Sequence, residues 1–166
     1  MKNPIIRFLF GGPGTASAAG DFGLLVLRVA FGAYIALHGW DKIHSDGHFG
    51  LMPQLVEGVQ GMGFPAPTLF AWLAALTEFV GGILVVLGFV TRPAALALTF
   101  NMCVAAFVAH KQDPWYAPMA PRSKESALLY LAPFVLLLFA GAGRFSVDRA
   151  FRRRAARAEV REKSGD

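Results

Sequence analysis

The chain contains the apolar segment LFAWLAALTEFVGGILVVLGFV, Leu69–Val90, in which Glu78 is the only charged residue. A helix of about 20 residues spans the hydrocarbon core of a bilayer, so this segment is long enough to cross a membrane. A charged side chain near the bilayer centre costs about 3 kcal/mol and therefore needs a partner or a function. The first candidate partner for Glu78 is Arg28, which interrupts another apolar segment, Phe22–Leu37.

The composition of the chain indicates a membrane protein. Of its 166 residues, 55% are hydrophobic and 16% are charged, whereas about 25% of the residues in an average soluble domain are charged. Thr91-Arg92-Pro93 predicts a tight hairpin between the second and third of four apolar segments. We therefore predict an all-α fold, an integral membrane four-helix bundle over residues 21–148. The four predicted spans are Phe22–Trp40, Leu69–Val90, Ala94–His110 and Ala127–Gly143.

The first long loop, Asp41–Thr68, contains apolar residues at helical spacing. These residues are Met52, Leu55, Val56, Val59 and Met62. Such spacing is typical of an amphipathic helix that lies in the membrane interface, and we predict a short interfacial helix here. A second loop, Lys111–Lys124, contains three prolines and Trp115 and is predicted to cap the same end of the bundle.

The two termini are predicted to flank the membrane domain. Residues 1–20 form an N-terminal segment, and we expect no signal-peptide cleavage because its apolar part, Ile5–Phe10, is short and contains Arg7. Residues 149–166 form a basic tail, within a helix predicted from about Val147 to Glu162. The tail either lies against anionic lipid or docks a soluble partner.

The distribution of Lys and Arg predicts the orientation in the membrane. With four spans, both termini lie on one side, which carries eleven basic residues, and the other side carries four. The positive-inside rule places the more basic side in the cytoplasm. We therefore predict a multi-pass protein of a bacterial-type cytoplasmic membrane, with both termini cytoplasmic and the lipid bilayer as its first partner. Because the basic residues follow a membrane helix, we predict no nucleic-acid binding.

Counting along the predicted spans brings polar side chains together in the outer half of the bundle. Glu78 lies about nine residues, or ~13 Å, below the outer boundary, and Asn101 lies near mid-depth in the third span. The layer above Glu78 is predicted to contain His38, Asp41, Lys42, His110 and Glu125. Their convergence predicts a polar pocket, and glycines such as Gly81 and Gly82 allow the helices around it to pack closely.

Each of these polar residues also has a purely structural interpretation. Lys42 and Glu125 sit at helix ends and can reach the interface, and the two histidines can be boundary residues. Asn101 can bridge two helices, and Arg28 with Glu78 can form a structural ion pair. The sequence leaves these interpretations open.

Several motifs resemble those of the DoxX family of small four-helix membrane proteins. They are LRVAFG at Leu27–Gly32 with His38-Gly39 and Lys42, Gly63-Phe64-Pro65, EFVGG at Glu78–Gly82, LGFVTR at Leu87–Arg92, and GRFSVD at Gly143–Asp148. The resemblance covers roughly residues 23–148. It implies roles for the residues at matching motif positions, which are Arg28, His38, Lys42, Glu78 and Arg92. His110, Glu125 and Asn101 join the predicted site from depth counting, and Trp115 from its place in the capping loop.

The resemblance also implies a function. The family is similar to the DoxD subunit of a thiosulfate:quinone oxidoreductase, and its members are linked to sulfur, thiol and quinone redox and to oxidative-stress defence. We predict a membrane redox accessory subunit that binds a quinone-like or other small lipophilic molecule, with Glu78, His38 and Arg28 in catalytic roles. Soluble or membrane redox proteins and further copies of the chain are predicted partners.

Two other functions and one variant are compatible with the sequence. The chain can be a non-catalytic anchor for soluble enzymes, or an oligomeric transporter of a small solute or proton. His38 and His110 on separate helices are a weak signal for haem or a metal, so we predict neither, and no tightly bound cofactor.

Overall fold

The computed structural model describes residues 17–45, 47–117 and 123–164, and helices dominate these ranges. The helices are α1 (Ala18–Ile43), α2 (Pro53–Gly61), α3 (Pro67–Leu87), α4 (Thr91–Val104), α5 (Glu125–Ala140) and α6 (Val147–Ser164). A π-helical turn, Ala105–Ala109, continues α4. A short antiparallel ribbon, β1 (His44–Ser45) with β2 (His48–Phe49), lies between α1 and α2. The predicted N-terminal segment up to residue 16, and residues 118–122 of the second loop, lie outside the described residues.

Three described helices are long and apolar enough to cross a membrane, namely α1, α3 and α4 with its π-helical turn. They correspond to the first three predicted spans. The helix in the fourth predicted span, α5, has 16 residues, or about 24 Å at the α-helical rise, which is short for a ~30 Å hydrocarbon core. A fourth crossing therefore stays a prediction.

The connection between α3 and α4 corrects the predicted hairpin. The turn consists of Gly88–Val90, with Gly88 in the left-handed conformation at φ 67°, and α4 begins at Thr91. Thr91-Arg92-Pro93 therefore forms the first turn of α4 instead of the connection. Proline is tolerated there because the first helical N–H groups have no partner within the helix.

We call the end of the bundle that carries the two long loops the loop end, and the end that carries Gly88–Val90 the hairpin end. The core between them contains Ile35, Val85, Leu98, Phe134 and Leu137, each at most 2% exposed. Many large apolar side chains on the outer faces are exposed, which is typical of helices that face lipid. At the loop end, α2 packs against α3.

The backbones of α1 and α3 approach each other closely at glycines. A Cβ atom added to Gly82 would lie 2.6 Å from the carbonyl oxygen of Gly32 and 2.7 Å from the backbone nitrogen of Ala36. At Gly39, an added Cβ would meet the backbone of Ala75 and Phe79. Small residues at such contacts let membrane helices pack with their backbones in contact.

Gly82→Ala is expected to lower the free energy of unfolding by about 1–3 kcal/mol, because the new methyl group forces α1 and α3 apart. Gly23→Ala is the matched control: Gly23 is also on a bundle helix, and nothing lies within 4 Å of its added Cβ. The control should leave stability unchanged or raise it by up to about 1 kcal/mol. Thermal unfolding of both variants in the same detergent measures the difference. Equal stabilities would contradict the close packing.

Candidate functional site

A cavity of about 590 Å³ lies at the loop end of the bundle. Its wall is formed mainly by α2, α3, α4 and the π-helical turn, with Lys42 reaching in from the end of α1. Most of the lining side chains are apolar, and the polar ones are Lys42, Gln54, Thr77, Glu78, Asn101 and His110. The volume falls within the ~300–1,000 Å³ range of small-molecule sites.

Glu78 is the centre of a polar cluster in this cavity, formed with Lys42 and Asn101. The Lys42 Nζ donates to both carboxylate oxygens of Glu78, at 2.5 and 2.6 Å. The Asn101 Nδ2 donates to Oε1 at 3.0 Å. Three helices, α1, α3 and α4, each contribute one member. The Glu78 side chain is 4% exposed and that of Lys42 is 29% exposed, so the pair joins a buried acid to a cation near the loop end.

The close packing of α1 on α3 explains why Lys42 reaches Glu78. Gly39 lies against the backbone of Ala75 and Phe79, and Phe79 is the residue next to Glu78. Lys42 follows Gly39 by three residues, so it lies on the same face of α1 one turn nearer the loop end. The glycine thus brings the lysine within reach of the acid.

The structure corrects the predicted pairing of Arg28 with Glu78. Arg28 is fully buried and donates through Nη1 to the carbonyl oxygens of Val85 at 3.5 Å and Val86 at 3.4 Å. Its Nη2 donates to the carbonyl oxygen of Phe145. Val85 follows Glu78 by seven residues, about 10 Å along α3. Arg28 therefore belongs to the hairpin end and lies outside the cavity wall.

The GRFSVD motif wraps around the same hairpin end. The Asp148 carboxylate accepts from the backbone N–H groups of Val90 at 2.8 Å and Thr91 at 3.0 Å, and so caps the N-terminus of α4. The Asp148 N–H in turn donates to the Gly88 carbonyl at 2.9 Å. Asp148 and Arg28 thus hold α6, α1 and the α3–α4 connection together. This arrangement is structural, and it explains the motif without a role in the cavity.

A second ion pair and a basic helix complete the hairpin end. The Arg144 Nε lies 2.7 Å from the Oδ2 of Asp21, and Asp21 is fully buried near the start of α1. Farther along, burial first and the neighbouring Arg149 second lower the pKa of Arg152. Arginine nevertheless stays protonated in proteins, so the described part of α6 keeps its positive charge.

His110 joins the cavity wall through the π-helical turn. The His110 N–H donates to the Ala105 carbonyl, five residues earlier, at 2.9 Å. A regular α-helix would bring Val108 to the face of Val104, yet the extra residue of the π turn places Ala109 and His110 on the wall and leaves Val108 44% exposed. Such turns are frequent at functional sites.

Asp113 orients the imidazole of His110. Its Oδ2 lies 2.6 Å from the His110 Nδ1, so Nε2 is the ring nitrogen left for a ligand or a water molecule. Asp113 is not among the site residues predicted from the sequence. The His-x-x-Asp spacing across a helix end was the signal that could have identified it.

The other predicted site residues lie away from the cavity wall. His38 is exposed, with its Nδ1 2.9 Å from the Tyr34 carbonyl oxygen and its ring 5.5 Å from that of Tyr130. Glu125 begins α5, and Trp115 is 62% exposed with the Lys124 Nζ 5.0 Å from its ring centroid. None of these three residues lines the cavity that contains Glu78.

Two predicted motif residues have structural contacts. The Arg92 Nη2 donates to the Phe139 carbonyl oxygen at 2.8 Å and so ties α4 to the end of α5. Gly81 packs against Leu98, whose Cγ would lie 3.3 Å from an added Cβ. Among the described residues, no group of three or more His, Cys, Asp or Glu side chains is placed to hold a metal ion.

Comparison with known proteins agrees with the family resemblance. The DoxX family model matches residues 23–111, more than half of the chain. The chain is 33% identical over 155 residues to the uncharacterized membrane protein Rv3486 of Mycobacterium tuberculosis, and the match covers 86% of this chain and 90% of that protein. It is 32% identical over 129 residues to the inner membrane protein YqjF of Escherichia coli, covering 78% of this chain and 92% of that protein. It is 30% identical over 139 residues to the inner membrane protein YphA of the same organism, and the match covers 78% of this chain and 94% of that protein. No solved structure shows a significant match.

These relatives are membrane proteins, in keeping with the three helices of spanning length. The predicted resemblance is confirmed by the family model and by the coverage of the relatives. The chain belongs to the DoxX family of membrane proteins.

Proposed function

We propose that this protein binds a small lipophilic molecule with an oxygen-bearing, quinone-like head group in the loop-end cavity, and acts as an accessory subunit in sulfur, thiol or quinone redox. The observation that carries the proposal is the Lys42–Glu78–Asn101 cluster in the wall of an otherwise largely apolar cavity. Small-molecule sites combine an apolar wall with a few polar groups that orient the ligand.

The cluster can bind the oxygen atoms of such a head group. Lys42 has three N–H donors, and two suffice for the contacts with the Glu78 carboxylate. Asn101 has a second N–H and an acceptor oxygen beside the N–H that donates to Glu78. A carbonyl oxygen would accept from Lys42 or Asn101, and a hydroxyl group of a reduced ring would donate to Glu78. When a redox partner protein takes electrons from the hydroquinone, the Glu78 carboxylate receives a ring proton, and when that partner returns electrons to the quinone, Glu78 returns the proton.

His110 and Asp113 provide a second proton-exchanging group in the same cavity. His110 follows Asn101 by nine residues, on the order of 13 Å along the helix. A single quinone ring therefore cannot contact both the Glu78 cluster and the His110–Asp113 pair. We place the ring at the Glu78 cluster and assign His110 to proton exchange with the aqueous phase at the loop end.

The proposal includes the membrane topology predicted from the sequence. The side chains Phe134 and Leu137 pack α5 into the core beside α4, which supports a fourth crossing despite its 16 residues. Both termini then lie on the cytoplasmic side, where the positive-inside rule places the basic tail, and the cavity lies in the outer half of the membrane.

Binding of a quinone probe tests this proposal. The protein in lipid nanodiscs is titrated with a decyl-chain dimethoxy-methyl-benzoquinone, and quenching of tryptophan fluorescence is followed. The control probe is the alkylbenzene with the same decyl chain and no oxygen atoms, and its binding is measured as displacement of the quinone, because it does not itself quench tryptophan. We expect saturable binding of the quinone and none of the control. Equal binding of both probes would mean that the ring oxygens are not recognised, and the proposal would be wrong.

The basic surface of α6 favours one alternative, a membrane anchor for soluble enzymes. Arg153, Arg154 and Arg157 are all exposed on this helix, next to the membrane domain. An anchor predicts that removing Arg149–Asp166 releases a soluble partner and that the purified chain binds no quinone. Retention of quinone binding after this deletion would favour the accessory-subunit function.

A further inference from the structure

The loop-end cavity has an opening on the side of the bundle, between α3 and α4. Leu73 and Phe100 line the cavity and are also 52% and 70% exposed, so they border a gap between the interior and the surroundings. Ala97, one turn before Asn101, also lines the cavity and is exposed. All three residues lie in helices of membrane-spanning length. In a bilayer that these helices cross, the gap would face the hydrocarbon region.

The packing of the two helices explains the gap. Near Gly81, α3 and α4 are close, with Leu98 filling the space against the glycine. Toward the loop end, small side chains such as Ala74, Ala97 and Ala105 line the space between the helices. Their short side chains leave space between the helices, and the large side chains of Leu73 and Phe100 lie at its border, where they are exposed.

The loop side of the cavity also has a protein cover. The helix α2 lies over it, and its residues Leu55, Val59 and Met62 contribute to the wall. Val59 is 4% exposed, and the rings of Phe64 and Phe70, which also line the cavity, lie 4.7 Å apart. Gln54 and Gly58 of α2 also line the cavity and are exposed, so the cavity reaches the surface beside α2 as well as between α3 and α4.

The position of the gap relative to the polar cluster defines the shape of the ligand. Phe100 is the residue next to Asn101, and Leu73 precedes Glu78 by five residues, about 7 Å along α3. A head group at the cluster therefore lies at nearly the same depth as the opening. An apolar chain attached to that head group can pass between the helices and stay among lipid chains, with no need to fold into the cavity.

We propose that the ligand is a lipid with a long apolar chain, such as a prenyl or acyl chain, which enters from the bilayer between α3 and α4 and keeps its chain in that gap. The inference rests on the proposed function, since it concerns the same cavity, and it adds the ligand class and the entry route. The proposal excludes, as the ligand, a compact water-soluble molecule that enters through the loop end.

The test compares two quinone probes with the same ring, one with a decyl chain and one without a chain, in nanodiscs of a single phosphatidylcholine. Ala97→Phe narrows the gap, and Leu96→Phe is the matched control because Leu96 is 49% exposed on the same helix and lies outside the cavity wall. We expect Ala97→Phe to weaken binding of the decyl probe by about tenfold or more. The same variant should change binding of the chainless probe by less than about twofold, and Leu96→Phe should change neither.

The outcomes separate this inference from the proposed function. If the wild-type protein binds neither probe, the proposed function is wrong and the lipid entry route falls with it. If the wild type binds both probes and Ala97→Phe affects the decyl probe no more than the control variant does, only the lateral opening is wrong. A decyl probe with a diazirine at the chain end gives an independent readout on wild-type protein. Its label should fall on residues near Leu73 and Phe100, and labelling of α2 instead would overturn the proposed route.

Discussion

Glu78→Gln is expected to weaken binding of the decyl-chain quinone by about tenfold to a hundredfold. The carboxylate holds the Lys42 ammonium at 2.5 Å, and a neutral amide removes that attraction. Since the Lys42 side chain is already 29% exposed, the released lysine can turn toward the interface, and the site loses a donor as well as its acid. Hydrogen bonds to charged groups contribute about 1.5–3 kcal/mol, which corresponds to the expected loss of affinity.

A double variant separates binding from folding in this prediction. Lys42→Met with Glu78→Met replaces the ion pair by apolar side chains of similar length, and such replacements are often neutral or stabilising. We expect the double variant to unfold at or above the wild-type temperature and still to bind the quinone poorly. Titration and thermal unfolding of the same sample measure both quantities. Wild-type affinity in the double variant would show that the cluster only holds the helices together.

Arg28→Met should have the largest effect on stability and little effect on binding. The fully buried guanidinium donates to the carbonyl oxygens of Val85, Val86 and Phe145. The Val85 carbonyl oxygen keeps the Gly88 N–H as a donor at 3.1 Å, but the part-buried Val86 and Phe145 carbonyl groups lose the guanidinium, and a carbonyl group left without a donor costs about 1–3 kcal/mol. We expect the free energy of unfolding to fall by several kcal/mol and the thermal midpoint to fall on the order of 10 °C.

The quinone titration completes the test of Arg28. Folded Arg28→Met protein, studied at low temperature, should bind the decyl probe within about twofold of the wild type, because Arg28 lies at the hairpin end and outside the cavity wall. Arg28→Lys should not restore the stability, since an ammonium group lacks the planar fork that reaches three carbonyl groups. A Lys variant of normal stability, or a Met variant that folds well and fails to bind, would contradict the structural role.

The sequence predicts the helices of membrane-spanning length well, because a long apolar segment with few charges is typical of a transmembrane helix. The depth count also brought Glu78, Asn101, Lys42 and His110 to the same half of the bundle, and the structure places all four on one cavity wall. Depth along a span follows from counting residues, and rotation of the helix about its axis does not. For this reason His38 and Glu125, at suitable depths, lie outside the wall.

The partners of the two buried charges could not be predicted in the same way. Arg28 and Lys42 are both on α1, 14 residues and about 21 Å apart, and the count could not decide which one meets Glu78. The answer depends on Gly39, whose contact with the backbone of Ala75 and Phe79 sets how α1 faces α3. Arg28 instead meets Phe145, 117 residues away in sequence, a contact with no local signal.

The π-helical turn was also outside the reach of the sequence pattern. Ala105–Ala109 has the sequence AAFVA, which is compatible with a regular α-helix. Only the backbone hydrogen bond from the His110 N–H to the Ala105 carbonyl shows that the helix gains one residue in this turn. The sequence therefore predicts the depth of His110 along the span. The extra residue of the π-helical turn determines that His110 lies on the cavity wall.

Mass spectrometry of the lipid extract from purified protein tests most directly whether the loop-end cavity holds a lipophilic ligand. The protein is isolated from its own membrane in mild detergent, and quinone-like lipids are quantified per chain for the wild type and for the Lys42→Met, Glu78→Met double variant. We expect a long-chain quinone or related lipid to be enriched in the wild-type sample above the level of the surrounding membrane, and a reduction of this enrichment by about tenfold or more in the variant. Equal amounts in both samples, at the level of the surrounding membrane, would contradict a ligand site built around Glu78.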